Sequence, residues 1–479
     1  MVNNVERFGA LLRESIKQLG ISEARFAREH SINRGQLFYI FEGKKTMPEE
    51  RLQALLRGKV FIPEVSEHLR ESYYQELYGP EAFERLLFIK NALAELAAAP
   101  AVVPIPAHVT RWKPQRPTEV ITNGGALLAA VHYILSAELA REAPVFDTNY
   151  PFTFKAMDDL VHALLHQHKG ECPQRWHGVS WQSTGRGAIN LINIFSCLRW
   201  FGMGYQVFGA ACDYAPTLPI DALYPHFFIT SSHTLLFHPE NHSGLLLSDP
   251  EAVQTLSFNA SLLRPNYVPV SNFPVNEFEL AQLFGQKSLF HRSKGEMSYW
   301  PCLGGFTDRA MLDALVHPKL EARAAFIDKL QELYQTLRGD PAAPLFMTTN
   351  GLREFAATGK FQEMSRRIAS PALPQMRVEL LRRVRKAILD GANVFLLDEK
   401  VVPFPAGLSL ELFESFMFIA GAVSPGEDAF VGEYNKIADR LTTVQDFANF
   451  MGYVQRNHLM HTREWAAAFL EELAEGLEP

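Results

Sequence analysis

The strongest constraint on the fold is the spacing of apolar residues within positions 21–45. This spacing allows two short helices, at about 22–29 and 33–42, to bury their apolar residues against each other at a sharp angle. The segment therefore predicts a helix-turn-helix motif. Its apolar positions are Phe26, Ala27, Ile32, Leu37 and Ile40.

Polar residues mark the ends of both helices. Ser22 and Asn33 are suited to cap the first and the second helix, because a short polar side chain accepts a bond from a first-turn N–H. Gly43 is placed to end the second helix in a left-handed conformation, and Lys44 and Lys45 follow at the negative end of its dipole. Amphipathic helices are predicted before this pair (Phe8 to Leu19) and after Pro48.

This region resembles the xenobiotic-response-element (Cro/C1 repressor-type) family of DNA-binding domains. The family usually has Gln where Glu23 stands, contacting a phosphate, and Glu where Phe41 stands. The resemblance implies an all-α DNA-binding domain. It is carried by Gly20, Ile21, Ser22, Phe26, Ala27, Ile32, Asn33, Arg34, Leu37, Ile40, Gly43, Lys44, Lys45 and Pro48.

The second helix also supplies candidate DNA-binding residues. Its leading and outward positions are the ones that reach base edges in a major groove, where Arg pairs with guanine and Gln or Asn with adenine. The alternative is a motif that binds another protein, which Glu23, Glu29 and Glu42 favour. The predicted DNA-binding set is Ser22, Arg25, Arg28, Asn33, Arg34, Gln36, Tyr39, Lys44 and Lys45, in which Arg25, Arg28 and the lysines face phosphates.

Charge is distributed unevenly along the chain of 479 residues. Residues 1–60 hold 11 Lys and Arg against 7 Asp and Glu, a net +4, so the total of −7 leaves −11 for the rest. A basic segment on an acidic body fits a module that faces phosphates.

The sequence also bears on the compartment. The N-terminus lacks a signal sequence, and no run of 18 uncharged apolar residues occurs. The four cysteines, Cys172, Cys197, Cys212 and Cys302, lack C-x-x-C spacing. We therefore expect a soluble cytoplasmic protein with reduced thiols.

The expected fold class is α+β multidomain, with an all-α head, connecting helices, an α/β body with mixed sheets and a helical C-terminus. Strand and helix patterns alternate from 120 to 250, and residues 275–340 are predicted to be mostly helical, followed by a mixed unit. The predicted domains are 1–62 (helix-turn-helix), 63–98 (connecting and dimerisation helices), 99–118 (Pro-rich linker), 119–272 (α/β sensor subdomain) and 273–479 (mixed, mostly helical subdomain).

The body carries two further resemblances. Segments at 301–303, 346–359, 377–383 and 444–450 resemble the C-terminal bodies of long regulators, common in Firmicutes, that carry the same head. That resemblance implies sensing or oligomerisation without naming a ligand. The βαβ pattern also resembles phospholipase-D-like sensor units, but His317-Pro318-Lys319 is followed by Ala324 where the catalytic Asp belongs, which implies a non-catalytic binder.

Two clusters in the body are candidate ligand sites. Ser183, Thr184, Gly185 and Arg186 lie between a predicted strand and helix, where backbone N–H groups and a basic side chain hold an anion or effector; an ordinary turn is the alternative. His162 and His166, one helical turn apart, with Cys172 nearby, have spacing suited to zinc, against solvated histidines at a helix end. Apart from this zinc candidate, no cofactor is expected.

These features together predict a sequence-specific DNA-binding transcriptional regulator, not an enzyme. We expect a homodimer that binds double-stranded DNA and an unknown small-molecule or peptide effector, with no membrane partner. The alternatives are an enzyme-like body that binds a metal or small molecule and uses the head for docking, and an assembly factor whose head binds a protein.

Overall fold

A computed structural model of the chain describes most of its residues and leaves short gaps between them. Contacts divide the chain into two compact units, residues 1–88 and 89–479. None of the helices in the described ranges combines the length and the apolar character needed to cross a bilayer. The described ranges are 7–98, 105–168, 174–181, 187–201, 203, 207–211, 224–272, 293–320, 322–337, 343–361, 368–413, 417–422, 429–433 and 440–478.

The first unit is built from helices. The pair predicted at 22–29 and 33–42 is confirmed as α2 and α3, and the break predicted at Gly79-Pro80 separates α5 from α6. The helices are α1 (Phe8–Gln18), α2 (Glu23–Glu29), α3 (Arg34–Phe41), α4 (Glu49–Arg57), α5 (Pro63–Tyr78) and α6 (Pro80–Ala97), the last of which continues past residue 88.

One apolar core holds these helices together. Leu12, Phe26 and Leu37, from α1, α2 and α3, are at most 1% exposed. The backbones of α1 and α3 approach so closely that a Cβ on Gly9 would lie 2.1 Å from the carbonyl oxygen of Ile40. The N–H of Phe8, at the start of α1, donates to Glu76 of α5 at 2.7 Å, and the buried rings of Phe8 and Tyr73 pack edge to face, so α5 belongs to this core.

The second unit contains two mixed sheets, of which the first uses strands from residues 118–269. Its order is β1-β7-β6-β5-β2-β3-β4-β8, with β2, β3 and β4 parallel and their neighbours antiparallel. The predicted alternation of strands and helices here is confirmed. The strands are β1 (Thr118–Ile121), β2 (Val145–Thr148), β3 (Gln174–Trp181), β4 (Phe208–Ala211), β5 (His226–Thr230), β6 (Thr234–His238), β7 (Ser243–Leu247) and β8 (Val268–Pro269).

The second sheet has the order β12-β11-β10-β13-β14-β15-β9, with β10, β11 and β12 parallel. The prediction of mostly helix over 275–340 is wrong at β10 (Ser293–Ser298), which lies inside this sheet with a neighbour on each side. The strands are β9 (Ser271–Asn272), β10 (Ser293–Ser298), β11 (Leu345–Thr348), β12 (Val394–Leu397), β13 (Ser409–Phe413), β14 (Met417–Ala422) and β15 (Ala429–Glu433).

Helices connect the strands and make up most of the C-terminus, as predicted. The helices α15 (Pro374–Leu389) and α17 (Arg463–Glu475) pack side by side through Leu380, Val384 and Leu470, each fully buried. Within the segment predicted as a linker, residues 107–111 form a short helix. The helices are α7 (Ala107–Arg111), α8 (Gly124–Leu139), α9 (Lys155–Gln167), α10 (Gly187–Phe201), α11 (Pro250–Ser261), α12 (Arg309–Leu315), α13 (Arg323–Leu337), α14 (Thr349–Thr358), α15 (Pro374–Leu389), α16 (Arg440–Arg456) and α17 (Arg463–Glu475).

The two sheets are joined at a single residue. β8 pairs with β4 in the first sheet, and β9 pairs with β15 in the second, so Val270 alone separates strands of different sheets. Val270 is buried, and its N–H donates to the carbonyl of Val207 at 2.8 Å.

Candidate nucleic-acid interface

Helix α3 presents a continuous exposed face. Leu37 and Ile40 point into the core, which leaves Arg34, Gln36 and Tyr39 on the outside. Tyr39 is 52% exposed. The outward positions predicted from the sequence therefore share one accessible surface.

Side-chain caps fix the ends of the two helices that carry this surface. The hydroxyl of Ser22 accepts the N–H of Arg25 at 3.3 Å. The amide oxygen of Asn33 accepts the N–H of Gly35 at 2.9 Å and of Gln36 at 3.2 Å. Both predicted caps are confirmed. Since its oxygen is engaged in capping, Asn33 has only its NH₂ group left for an external partner.

Cations surround α3, and most of them are available to an outside anion. Within the described part of the first unit, no carboxylate oxygen lies within 4 Å of Arg28, Arg34, Lys44 or Lys45. All four residues are exposed. A phosphate that approaches this face therefore meets positive charge without first breaking an ion pair.

Arg25 differs from these cations. Its Nε lies 2.7 Å from the Glu29 carboxylate, one helical turn away. The hydrogen bond and charge of Arg25 hold the pKa of Glu29 below its ordinary value. Arg25, predicted to face phosphates, must therefore exchange Glu29 for a phosphate.

Both departures from the family pattern have a partner in α1. The carboxylate of Glu23 lies 2.8 Å from Nε of Arg13, so an ion pair offsets its negative charge. The same Arg13 guanidinium lies 5.4 Å from the ring centroid of buried Phe41. One arginine thus accommodates both unusual residues.

Phe38 is the residue on this surface that sequence reasoning missed. It is 48% exposed, and its ring centroid lies 6.0 Å from that of Tyr39 in an edge arrangement. An apolar residue beside Leu37 is assigned to the core by default. Helical geometry gave only a partial signal, because position 38 lies to one side of the buried stripe formed by Leu37, Ile40 and Phe41 and is an i,i+3 neighbour of Phe41.

The predicted effector residues Ser183, Thr184, Gly185 and Arg186 lie outside the described residues, as does Cys172 of the predicted zinc site. The other two members of that zinc site are placed on α9. The rings of His162 and His166 are nearly parallel, with centroids 6.4 Å apart. In the described ranges, no three His, Cys, Asp or Glu side chains are grouped to hold a metal. Both sites stay predictions.

A buried polar network lies beside these histidines. Asp158 of α9 accepts the hydroxyl of Tyr150 at 2.9 Å and the indole N–H of Trp200 at 3.0 Å, and Arg199 donates to it at 3.1 Å. Burial raises the pKa of Asp158 although Arg199 opposes the shift. His177 is fully buried, with Nε2 3.1 Å from the carbonyl of Tyr150. These groups tie β3, α9 and α10 together.

Comparison with known proteins yields neither a matching family model nor a matching curated protein.

Proposed function

We propose that the protein is a sequence-specific DNA-binding transcriptional regulator, in which α2 and α3 act as a helix-turn-helix. The observation that carries the proposal is the exposed face of α3, on and around which four cations have no carboxylate oxygen within 4 Å among the described residues. A capped helix with polar outward residues is what a major groove accepts, and flanking cations supply the affinity for phosphates.

Each residue of this face has a distinct proposed role. Arg34 is suited to pair with guanine O6 and N7, and Gln36 with adenine N6 and N7. Tyr39 and Phe38 offer apolar contact to thymine methyl groups. Lys44 and Lys45, just beyond the end of α3, face the phosphate backbone.

A homodimer is the proposed DNA-binding form. Two copies related by a twofold axis would place their α3 helices about 34 Å apart, on successive turns of a palindromic site. An effector that binds the second unit would then favour or disfavour this arrangement. No enzymatic activity is proposed.

The test combines site selection from random DNA with binding titrations over a range of salt. Each neutralised phosphate contributes about 0.9 to the slope of log K against log salt, so Arg28, Lys44 and Lys45 give about −2.7 per head and about −5 per dimer. Lys44→Ala should reduce the slope by about 0.9 per head and weaken all sequences alike. Lys17→Ala is the matched control, because Lys17 already pairs with Glu14 on the exposed side of α1.

Arg34→Ala and Gln36→Ala should instead relax the selected sequence at one base pair each, at a cost of about 1–3 kcal/mol. If selection returns no preferred sequence, or if both variants keep the preference of the original protein, the regulator proposal is wrong.

A protein-interaction head is the second candidate, favoured by the aromatic pair on α3. Phe38 and Tyr39 are about half exposed, and solvent-facing aromatic residues are typical of protein interfaces. Under this alternative, Phe38→Ser abolishes partner binding while Lys44→Ala leaves it unchanged, and DNA binding lacks both specificity and the predicted salt slope.

A further inference from the structure

The second unit contains a cavity that the sequence did not indicate. Its volume is about 630 Å³, within the range of small-molecule sites. It lies at the amino ends of the parallel strands β10, β11 and β12, where Ser293, Leu345 and Val394 line it. A short 3₁₀ turn at Gly304–Phe306 and the last two turns of α15 form its other walls.

Most of the cavity wall is apolar. A molecule that fills this space must present an apolar surface to it, because a polar atom buried there without a hydrogen-bond partner costs free energy. The apolar part of the wall includes Phe306, Pro344, Leu345, Ala387, Ala392 and Val394.

The arginine of the lining is fully engaged within the protein. Arg383 donates from Nη2 to Asp308 at 2.7 Å, from Nε to Glu379 at 2.8 Å and from Nη1 to the carbonyl of Phe306 at 3.0 Å. The hydrogen bond from Arg383 holds the pKa of Asp308 below its ordinary value, so this carboxylate is charged and compensated. Neither Arg383 nor Asp308 is left to neutralise a ligand.

The other charged residues of the lining are also partnered. Lys386 pairs with Asp390 one helical turn away, and both side chains are largely exposed to water. Glu296 engages another group of the protein as well. A charged ligand would therefore have to displace one of these partners or bury its own charge without compensation, and either is costly. The lining favours an uncharged ligand.

The hydroxyl of Ser293 differs from these engaged groups. Ser293 is 8% exposed, and its Oγ has no hydrogen-bond partner among the described residues. Unlike Oγ1 of Thr234, it is not an unpartnered polar atom enclosed by protein, so it meets open space, and the open space that Ser293 lines is the cavity. The hydroxyl of Thr307, also in the lining, already donates to the carbonyl of Gly304 at 2.6 Å. A hydroxyl both donates and accepts, so Ser293 offers a ligand one hydrogen bond of either sense.

From these observations we infer that the cavity binds an uncharged small molecule, an apolar body with one hydroxyl or carbonyl group that pairs with the hydroxyl of Ser293. This inference rests on the proposed function, because it assigns a chemical class to the effector of the second unit. Its direct test needs no DNA, so its failure and the failure of DNA binding by the head are separate results.

The test uses four probes that share a phenyl ring and differ in their polar group: 2-phenylethanol, ethylbenzene, 2-phenylethylamine and 3-phenylpropanoate. Binding to the full chain is measured by ligand-observed NMR at concentrations up to millimolar, as befits such small molecules. Cys302 lines the cavity, is partly exposed and forms no disulfide. Its alkylation by iodoacetamide, followed by mass spectrometry of its peptide, therefore reports whether a probe occupies this site.

We expect both uncharged probes to bind and to slow alkylation of Cys302. The amine and the carboxylate should bind at least about tenfold more weakly than the alcohol, because each would bury a charge without compensation. Ala387→Phe should block the uncharged probes by filling the cavity.

The role of Ser293 is tested by comparing the two uncharged probes. Ser293→Ala should weaken binding of 2-phenylethanol about three- to tenfold, in line with the loss of one neutral hydrogen bond, and leave binding of ethylbenzene unchanged. Ser261→Ala is the matched control, because Ser261 lies outside the cavity lining and its hydroxyl already donates to the carbonyl of Phe258 at 2.6 Å. It should leave the binding of all four probes unchanged.

The proposal is overturned if 2-phenylethanol does not bind below about 10 mM, if a charged probe binds as tightly as the alcohol, or if the alcohol binds without protecting Cys302. Unchanged binding of the alcohol by a folded Ser293→Ala variant, or an equal loss for ethylbenzene, would likewise refute it. If Ala387→Phe does not fold, the comparison of the probes and the Ser293→Ala variant decide.

Discussion

Substitutions at Asn33 separate the folding of α3 from its proposed contact with DNA. Asn33→Ala removes the acceptor of two first-turn N–H groups, at 2.9 and 3.2 Å. Losing such a cap costs about 1 kcal/mol, which corresponds to an approximately fivefold rise in the open population of α3. Asn33→Asp keeps the acceptor and adds a favourable charge at the positive end of the helix dipole.

The two variants should therefore differ in stability, while both should bind DNA more weakly than the original protein. In Asn33→Asp, α3 keeps or gains stability, while the new carboxylate repels DNA phosphates and weakens binding. In Asn33→Ala, both stability and binding fall. A mutation that acts only through folding cannot produce the result expected for Asn33→Asp.

The assay is hydrogen exchange by mass spectrometry on the full chain, read on peptides that cover residues 34–41, together with DNA titration at fixed salt. Asn123→Ala is the matched control, since Asn123 caps α8 in the second unit by accepting the N–H of Ala126 at 2.8 Å. It should speed exchange in α8 alone. Equal exchange in Asn33→Ala and the original protein would refute the capping argument, and full DNA affinity in Asn33→Asp would refute the contact.

Three further predictions concern the second unit. Gly351→Ala should lower the unfolding free energy of the second unit by about 1–3 kcal/mol in thermal unfolding, because the new Cβ would lie 1.8 Å from a carbonyl oxygen. Gly452→Ala, in a helix with open space around the site, should instead raise this free energy by up to about 1 kcal/mol. Burial lowers the pKa of His226 to about 4, so the neutral imidazole favours the folded state. This contribution to the unfolding free energy is complete above about pH 6.5 and is lost as pH falls towards 4. His226→Gln should remove up to about 3 kcal/mol of this pH dependence in urea titrations. Asp158→Asn should destabilise the second unit by about 3 kcal/mol and change its tryptophan fluorescence. Asp159→Asn, beside the same arginine, should cost less, because the Asp159 side chain is 24% exposed against 2% for Asp158; equal losses would contradict the role of burial.

Local sequence signals predicted the head better than the second sheet. Ser22 and Asn33 are capping residues whose effect depends on their immediate neighbours, so both helix starts were predictable. Strand β10 has the sequence Ser-Lys-Gly-Glu-Met-Ser, which lacks a strand pattern. It forms a central strand because β11 and β13, distant in sequence, supply partners on both sides.

Only part of the candidate interface could be predicted from the sequence. The outward positions of α3 follow from helical period alone. The pairing of Glu23 with Arg13, and the packing of that arginine on Phe41, depend on where α1 crosses α2 and α3. Long-range contacts of this kind leave no mark in a single sequence, and the cavity at the amino ends of β10 to β12 likewise depends on elements from distant segments.

The junction at Val270 has a mechanical consequence. Because one residue separates β8 from β9, the edge strands of the two sheets are held next to each other in the chain at this point. Lengthening this junction with a few glycines should loosen the covalent link, while the contact of α10 with α16, where the rings of Phe195 and Phe447 stack with centroids 6.0 Å apart, should remain.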